Sequence, residues 1–131
     1  MNENINKTVE FMKEIIQQRS KEVSLAIINM VEMLPSKIAA LHIAKQIIRS
    51  STSVAANCRI ACQTGTSKEY IDKLQIVIEE AGETLFWLEI IRENKWCSPN
   101  QIDKVYKEMN DLLSVFISSA KSVKNTMRVI T

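Results

Sequence analysis

With 131 residues, 46% of them hydrophobic and 24% charged, the chain suits one globular domain, residues 1–131, with a real core, and its composition excludes the disordered class. A formal net charge of only +2 excludes a protein that wraps nucleic acid by electrostatics alone. Three cysteines, an odd number, fit reduced thiols better than a disulfide framework, and charges such as Glu32 and Arg49 interrupt every long apolar run, so no membrane span is expected.

Pro35, Gly65 and Pro99 are helix breakers that cut the chain into four segments of similar length. The first, about residues 4–34, carries a heptad stripe of Val9, Met12, Ile16, Arg19, Val23, Ala26, Met30 and Met33. Arg19 is its only charged member; its stem is expected to pack while its head reaches solvent or a carboxylate. The start of the chain, Met1-Asn2-Glu3-Asn4, has neither a basic nor an apolar leader region, so a cytoplasmic protein is expected.

The second segment, about 36–63, has a core stripe of Ala40, Ile43, Ala44, Ile47, Ser51, Val54, Cys58 and Cys62, and Gly65 is expected to supply a left-handed cap beyond its end. The third, about 67–94, opens on a capping-box pattern, Thr66 with Glu69 three residues on, and Ser67 competes as cap in the adjacent frame. The fourth, about 98–128, opens with Ser98 as cap, Pro99 at the first helical position and Gln101 placed to reach back. Short connections make sequential helices antiparallel. An all-α, up-down-up-down four-helix bundle follows, with helices of about 25 residues and about 38 Å.

Charge is unevenly spread. Residues 35–67 hold four basic side chains and no acid, whereas residues 68–95 hold seven acids against four bases. On the second helix Lys37, Lys45, Arg49 and Arg59 share one arc of about 120°. On the third, Tyr70, Leu74, Val77, Ala81, Leu85 and Leu88 make the core stripe, while Glu69, Asp72, Glu79, Glu80 and Glu83 lie on the far side, interleaved with Ile76, Phe86, Trp87 and Ile90. A helix apolar on two faces needs a second partner, and the simplest is another copy of the chain. A homo-oligomer is expected, with the basic arc of the second helix meeting the acidic, aromatic back of the third. Burial of Ile76, Phe86, Trp87 and Ile90 would supply most of the affinity, and the charges would set register. Gln46, Ser53 and Asn57 share one face of the second helix and are candidates for register-fixing hydrogen bonds, or for holding a ligand. Gly82, mid-helix, implies a close crossing or simple tolerance.

No cluster assembles a catalytic or metal site. A di-iron bundle needs Glu-x-x-His pairs, and the only histidine, His42, follows Ala39 at that spacing. Cys58 and Cys62 are one helical turn apart, but Cys97 lies at the opposite end of a long helix from Thr66, so packed thiols are expected rather than zinc. The hydroxyl run Ser50-Ser51-Thr52-Ser53 has no histidine or lysine spaced to activate it. No cofactor and no enzymatic activity are expected. On the fourth helix Lys121, Lys124 and Arg128 form a stripe joined by Lys107, and no acid follows Asp111. The stripe is either a candidate phosphate-binding surface or a solvated helix end whose cations complement the dipole. Neither Trp96 nor Tyr106 is spaced as a stacking platform, so base-specific reading is not expected.

Gln46-Ile47-Ile48-Arg49-Ser50-Ser51-Thr52-Ser53-Val54-Ala55-Ala56-Asn57, followed by Arg59, Ala61-Cys62, Ser67-Lys68, Lys73-Leu74, Glu79-Glu80-Ala81, Glu83-Thr84 and Trp87-Leu88-Glu89, resembles the bacterial four-helix-bundle family that includes proteins encoded in intervening sequences of large-subunit ribosomal RNA genes. The resemblance covers roughly residues 41–91. It implies a small homo-oligomer, typically a pentamer, without known catalysis. A relative in fold, the accessory protein of diversity-generating retroelements, works with a reverse transcriptase and nucleic acid. The expectation is therefore a non-catalytic, pentameric scaffold or adaptor with sequence-independent contact to RNA or single-stranded DNA. A pure protein-interaction module, for example one serving a reverse transcriptase or another protein, is the alternative, and a ligand sensor or enzyme is third.

Overall fold

Proline and short hydroxyl side chains punctuate the chain where the sequence places them. The computed structural model describes residues 3–130, apart from the side chains of Ile5, Val129 and Ile130. It contains four helices: α1 (Glu3–Val31), α2 (Ile38–Cys62), α3 (Ser67–Glu93) and α4 (Pro99–Ile130). The first helix ends three residues earlier than the pattern predicts. Leu34 precedes a proline, which disfavours the helical region there, and the last turn tightens through Met33 N–H to Met30 O and Leu34 N–H to Val31 O, both 3.1 Å. Helix α2 correspondingly starts at Ile38, after an extended Lys37 whose side chain makes no capping bond.

The predicted cap of α3 forms: Thr66 Oγ1 accepts from Glu69 N–H at 3.2 Å, while the Glu69 carboxylate accepts from Gly65 N–H at 3.4 Å. At α4, Ser98 Oγ accepts from Gln101 N–H at 3.4 Å, with Pro99 as the first helical residue. The expected left-handed cap at Gly65 does not. No described glycine has positive φ, and α2 ends through Gln63 in the right-handed region. The left-handed residue is Lys95, φ 58°, where Lys95 N–H donates to Arg92 O and Trp96 N–H to Ile91 O. These two bonds close a Schellman motif after Asn94, and they require the left-handed backbone that Lys95 supplies at a steric cost.

Packing runs α1–α2, α2–α3, α3–α4 and α4–α1, with no diagonal contacts among the described residues. Tyr70 meets Ser119 near one end of the α3–α4 seam and Arg92 meets Asp103 near the other, so these two helices are antiparallel. The arrangement fits the up-down-up-down order. One core runs through the bundle, with Ile27, Met30, Ile47, Leu74, Leu88 and Phe116 among its fully buried members. Its polar inserts are hydroxyls: Thr84 Oγ1 and Ser50 Oγ lie 2.8 Å apart across α2–α3, each also within reach of a carbonyl of its own helix. A buried hydroxyl pair that satisfies itself lets small side chains bring two helices close without an orphaned polar group.

Candidate functional site

The α2–α3 seam carries most of the residues expected to mediate association, and the structure redistributes them. Arg49 reaches Glu80 of its own chain at 3.0 Å and also pairs with Glu83. Three of the side chains expected to pair between copies thus already meet within one chain. Long side chains on adjacent flanks of two neighbouring helices meet around the seam, which a single helical wheel does not reveal. Lys37, Lys45 and Arg59 are exposed, and Arg59 lies on the α1 side, beside Glu14 and Gln17. The arc is therefore split between two seams.

The aromatic back of α3 is likewise divided. Trp87 and Ile90 are half-buried and pack on their own core; the Trp87 Nε1–H is buried with no hydrogen-bond partner among the described residues. Phe86, 51% exposed, meets the Trp87 ring edge-on at 5.0 Å between centroids, and Ile76 is 37% exposed. The outward apolar face of α3 thus reduces to Ile76 and Phe86, with exposed Glu79 between them. Glu79 accepts from the Gln75 amide at 3.3 Å and enters no ion pair among the described residues. Beyond the helix's own nearby backbone, no described atom lies within 4 Å of the position a Cβ would take at Gly82, so of the two readings, a close crossing or simple tolerance, no close crossing occurs there among the described residues. Gln46, Ser53 and Asn57 are half-buried along α2, and the Asn57 amide donates to Ser53 O and Oγ, both at 3.0 Å.

On α4, Lys121, Lys124 and Arg128 are exposed and enter no ion pair among the described residues. Lys107 does not share their state: Asp111 holds its ammonium at 2.9 Å and raises its pKa. The stripe reduces to three cations at the end of the helix. Arg19 behaves as expected, half-buried with its Nε 2.8 Å from Glu108, which raises its pKa.

The thiols pack as small apolar groups. Cys58 is buried and its pKa is raised, first by its hydrogen bond to Cys62 and then by burial. Cys62 is half-buried and shifted down, because the Cys58 thiol donates to it. Burial raises Cys97. Among the described residues no three His, Cys, Asp or Glu side chains gather as a metal site, and no helix is long and apolar enough to cross a membrane.

The sequence pattern did not reveal an open groove at the α1–α4 seam. It has a volume of about 860 Å³, with Val9, Met12 and Ile16 of α1 on one wall and Val115 with four serines of α4 on the other. The Thr64–Ser67 turn closes one end, and Tyr70, whose hydroxyl lies 2.7 Å from Ser119 Oγ, lines it. Lys13 is the only charged lining residue among the described residues. Val9 and Met12 sit on the stripe that buries Val23 and Met30 further along, yet Met12 is 58% exposed. One signal was available: α1 and α4, at 29 and 32 residues, outrun α2 and α3, at 25 and 27.

The described residues provide surfaces and seams rather than a cluster of convergent reactive groups. A protein of unknown function from the S23 ribosomal protein family of Bacteroides thetaiotaomicron VPI-5482 has a similar crystal structure, with TM-score 0.76 and 29% identity over 83% of this chain and 97% of that one. No curated protein is similar enough to count as a relative. The family model described as 23S rRNA-intervening sequence protein matches residues 12–118, which is most of the bundle from the middle of α1 to the last third of α4, and the chain belongs to that family.

Proposed function

We propose that the protein is a non-catalytic, cytoplasmic scaffold or adaptor that works as a homo-oligomer, most simply a pentamer, and touches RNA or single-stranded DNA without reading sequence. The observation that carries the reading is the outward face of α3, where Phe86 and Ile76 stand exposed on a helix whose opposite face is fully buried. Apolar side chains paired on one helix face are the mark of a surface that another protein covers. The nucleic-acid part rests on Lys121, Lys124 and Arg128, three exposed cations on a stretch of α4 that has no acid after Asp111.

Repetition of that stripe around a ring makes weak single-subunit contacts additive. Each single-stranded phosphate neutralised contributes about 0.7 to the slope of log affinity against log salt, so three cations give a slope of about −2 per subunit. Retention on single-stranded RNA or DNA, followed against salt, is expected to be steep and to disappear in the Lys121/Lys124/Arg128→Glu variant. Retention unchanged in that variant would discard the α4 surface and leave a pure protein-interaction module.

A further inference from the structure

No described residue fills the α1–α4 groove, and none covers the exposed ridge of α3. We infer that they are two halves of one contact: the α3 ridge of one copy, bearing Ile76, Glu79 and Phe86 around Gly82, seats in the α1–α4 groove of a second copy. The inference rests on the homo-oligomer reading and adds which surfaces meet.

Four observations converge on it. Ile76, Glu79, Gly82 and Phe86 follow one another at intervals of three and four residues, so they form a single ridge of the kind that packs into a groove between helices. Gly82 lowers that ridge midway, and the packing of its own chain does not require a glycine there. A second backbone can approach at such a notch.

The groove offers the complement. Its α1 wall is apolar apart from Lys13, its α4 wall carries serines short enough to admit a ridge, and it runs from Val9 to Ile16, a length of about 10 Å along the helix. Its one lining charge, Lys13, is held by Glu10 only at 3.6 Å, and it is opposite in sign to Glu79, which has no ion pair of its own among the described residues. Depletion of charge with one complementary pair is the composition of an interface core.

The two surfaces also point in opposite directions. Tyr70, on the inward stripe of α3, lines the groove, whereas Ile76 and Phe86 lie about 120–160° round the helix from it. A contact between unlike patches on opposite sides propagates from copy to copy and closes into a ring or runs on as a filament; it does not make a two-fold dimer.

Light scattering after size exclusion tests this on the native chain and on two variants at exposed positions. Ser118→Trp fills the groove and Phe86→Lys removes the ridge, and circular dichroism checks that both remain helical. Each variant alone is expected to run as a monomer at concentrations at least tenfold above those at which the native chain assembles. An equimolar mixture is expected to form a heterodimer, because the ridge of the first variant fits the intact groove of the second. If the native chain is itself a monomer, the homo-oligomer reading fails and this inference with it. If the native chain assembles and Ser118→Trp assembles equally well, or the mixture gives no heterodimer, only the pairing of ridge with groove is overturned. Should Ser118→Trp disturb folding, Lys13→Glu reads the same contact: it is expected to weaken assembly, and Glu79→Lys in the same chain is expected to restore it, absence of both effects being the contrary result.

Discussion

The two ends of the bundle are built from the same helices and the same patterns, yet one is closed and the other open. At the closed end the α1–α2 and α3–α4 turns meet; Met30, Ile91 and Ile102 are fully buried or nearly so, and the Schellman motif folds Trp96 back onto the core. At the other end only the Thr64–Ser67 turn spans the bundle, while α1 and α4 continue past it, and Val9 and Met12 of the core stripe face a groove. An apolar stripe is a statement about what a helix can bury. What it does bury depends on where its neighbours stop.

The largest test of that contrast is a pair of truncations on one stripe. Met30 is fully buried and Met12 is 58% exposed. Met30→Ala should cost about 3 kcal/mol, the usual result of removing a buried side chain and leaving a cavity. Met12→Ala should change stability by no more than about 0.5 kcal/mol in the single chain. Chemical denaturation of the two variants checks both values, and at concentrations where copies associate the Met12→Ala effect should grow with protein concentration. Equal losses at low concentration would mean that the open end is as well packed as the closed one.

Much of this architecture was legible in the sequence because its causes are local. Pro35 and Pro99 lack an N–H, and the Thr66 and Ser98 hydroxyls cap the first turns of α3 and α4, so boundaries and helix count follow from a few residues. The heptad stripe of α1 was readable in part: Ile16, Val23 and Met30 pack inward and Arg19 meets a carboxylate, whereas Ala26 is exposed and Met33 is exposed beyond the end of the helix. The candidate sites were less legible because they depend on pairs of helices. Arg49 meets Glu80 and Glu83 only once the α2–α3 register is set, and Lys107 leaves the basic stripe because Asp111, one turn on, captures it. The groove arises from unequal helix lengths, which no single segment reveals.

A smaller effect, of opposite sign, sharpens the view of the closed end. Its Schellman turn uses a lysine where a glycine would bear no steric penalty, since φ at Lys95 is 58°. Lys95→Gly should therefore raise stability by about 1 kcal/mol, the relief of a left-handed non-glycine residue less the added entropy of the unfolded chain. A rise in thermal midpoint checks it. No gain would show that the lysine side chain contributes packing or charge that offsets the strain.

The smallest effect belongs to the open end, at the hydrogen bond that joins α3 to α4 beside its groove. Tyr70 and Ser119 hydroxyls lie 2.7 Å apart, and burial raises the pKa of the phenol. In a closed core, deleting one partner of such a pair leaves an unsatisfied group and costs about 1–3 kcal/mol. Here Ser119 lines an open groove, so water can take the place of the phenol hydroxyl. Tyr70→Phe should consequently cost only about 0.5 kcal/mol, close to the low end for an ordinary hydrogen bond. A loss of about 2 kcal/mol in equilibrium unfolding would mean that water does not reach the groove in solution. It would place a cover over this end, the condition under which an exposed stripe on α1 becomes a buried one.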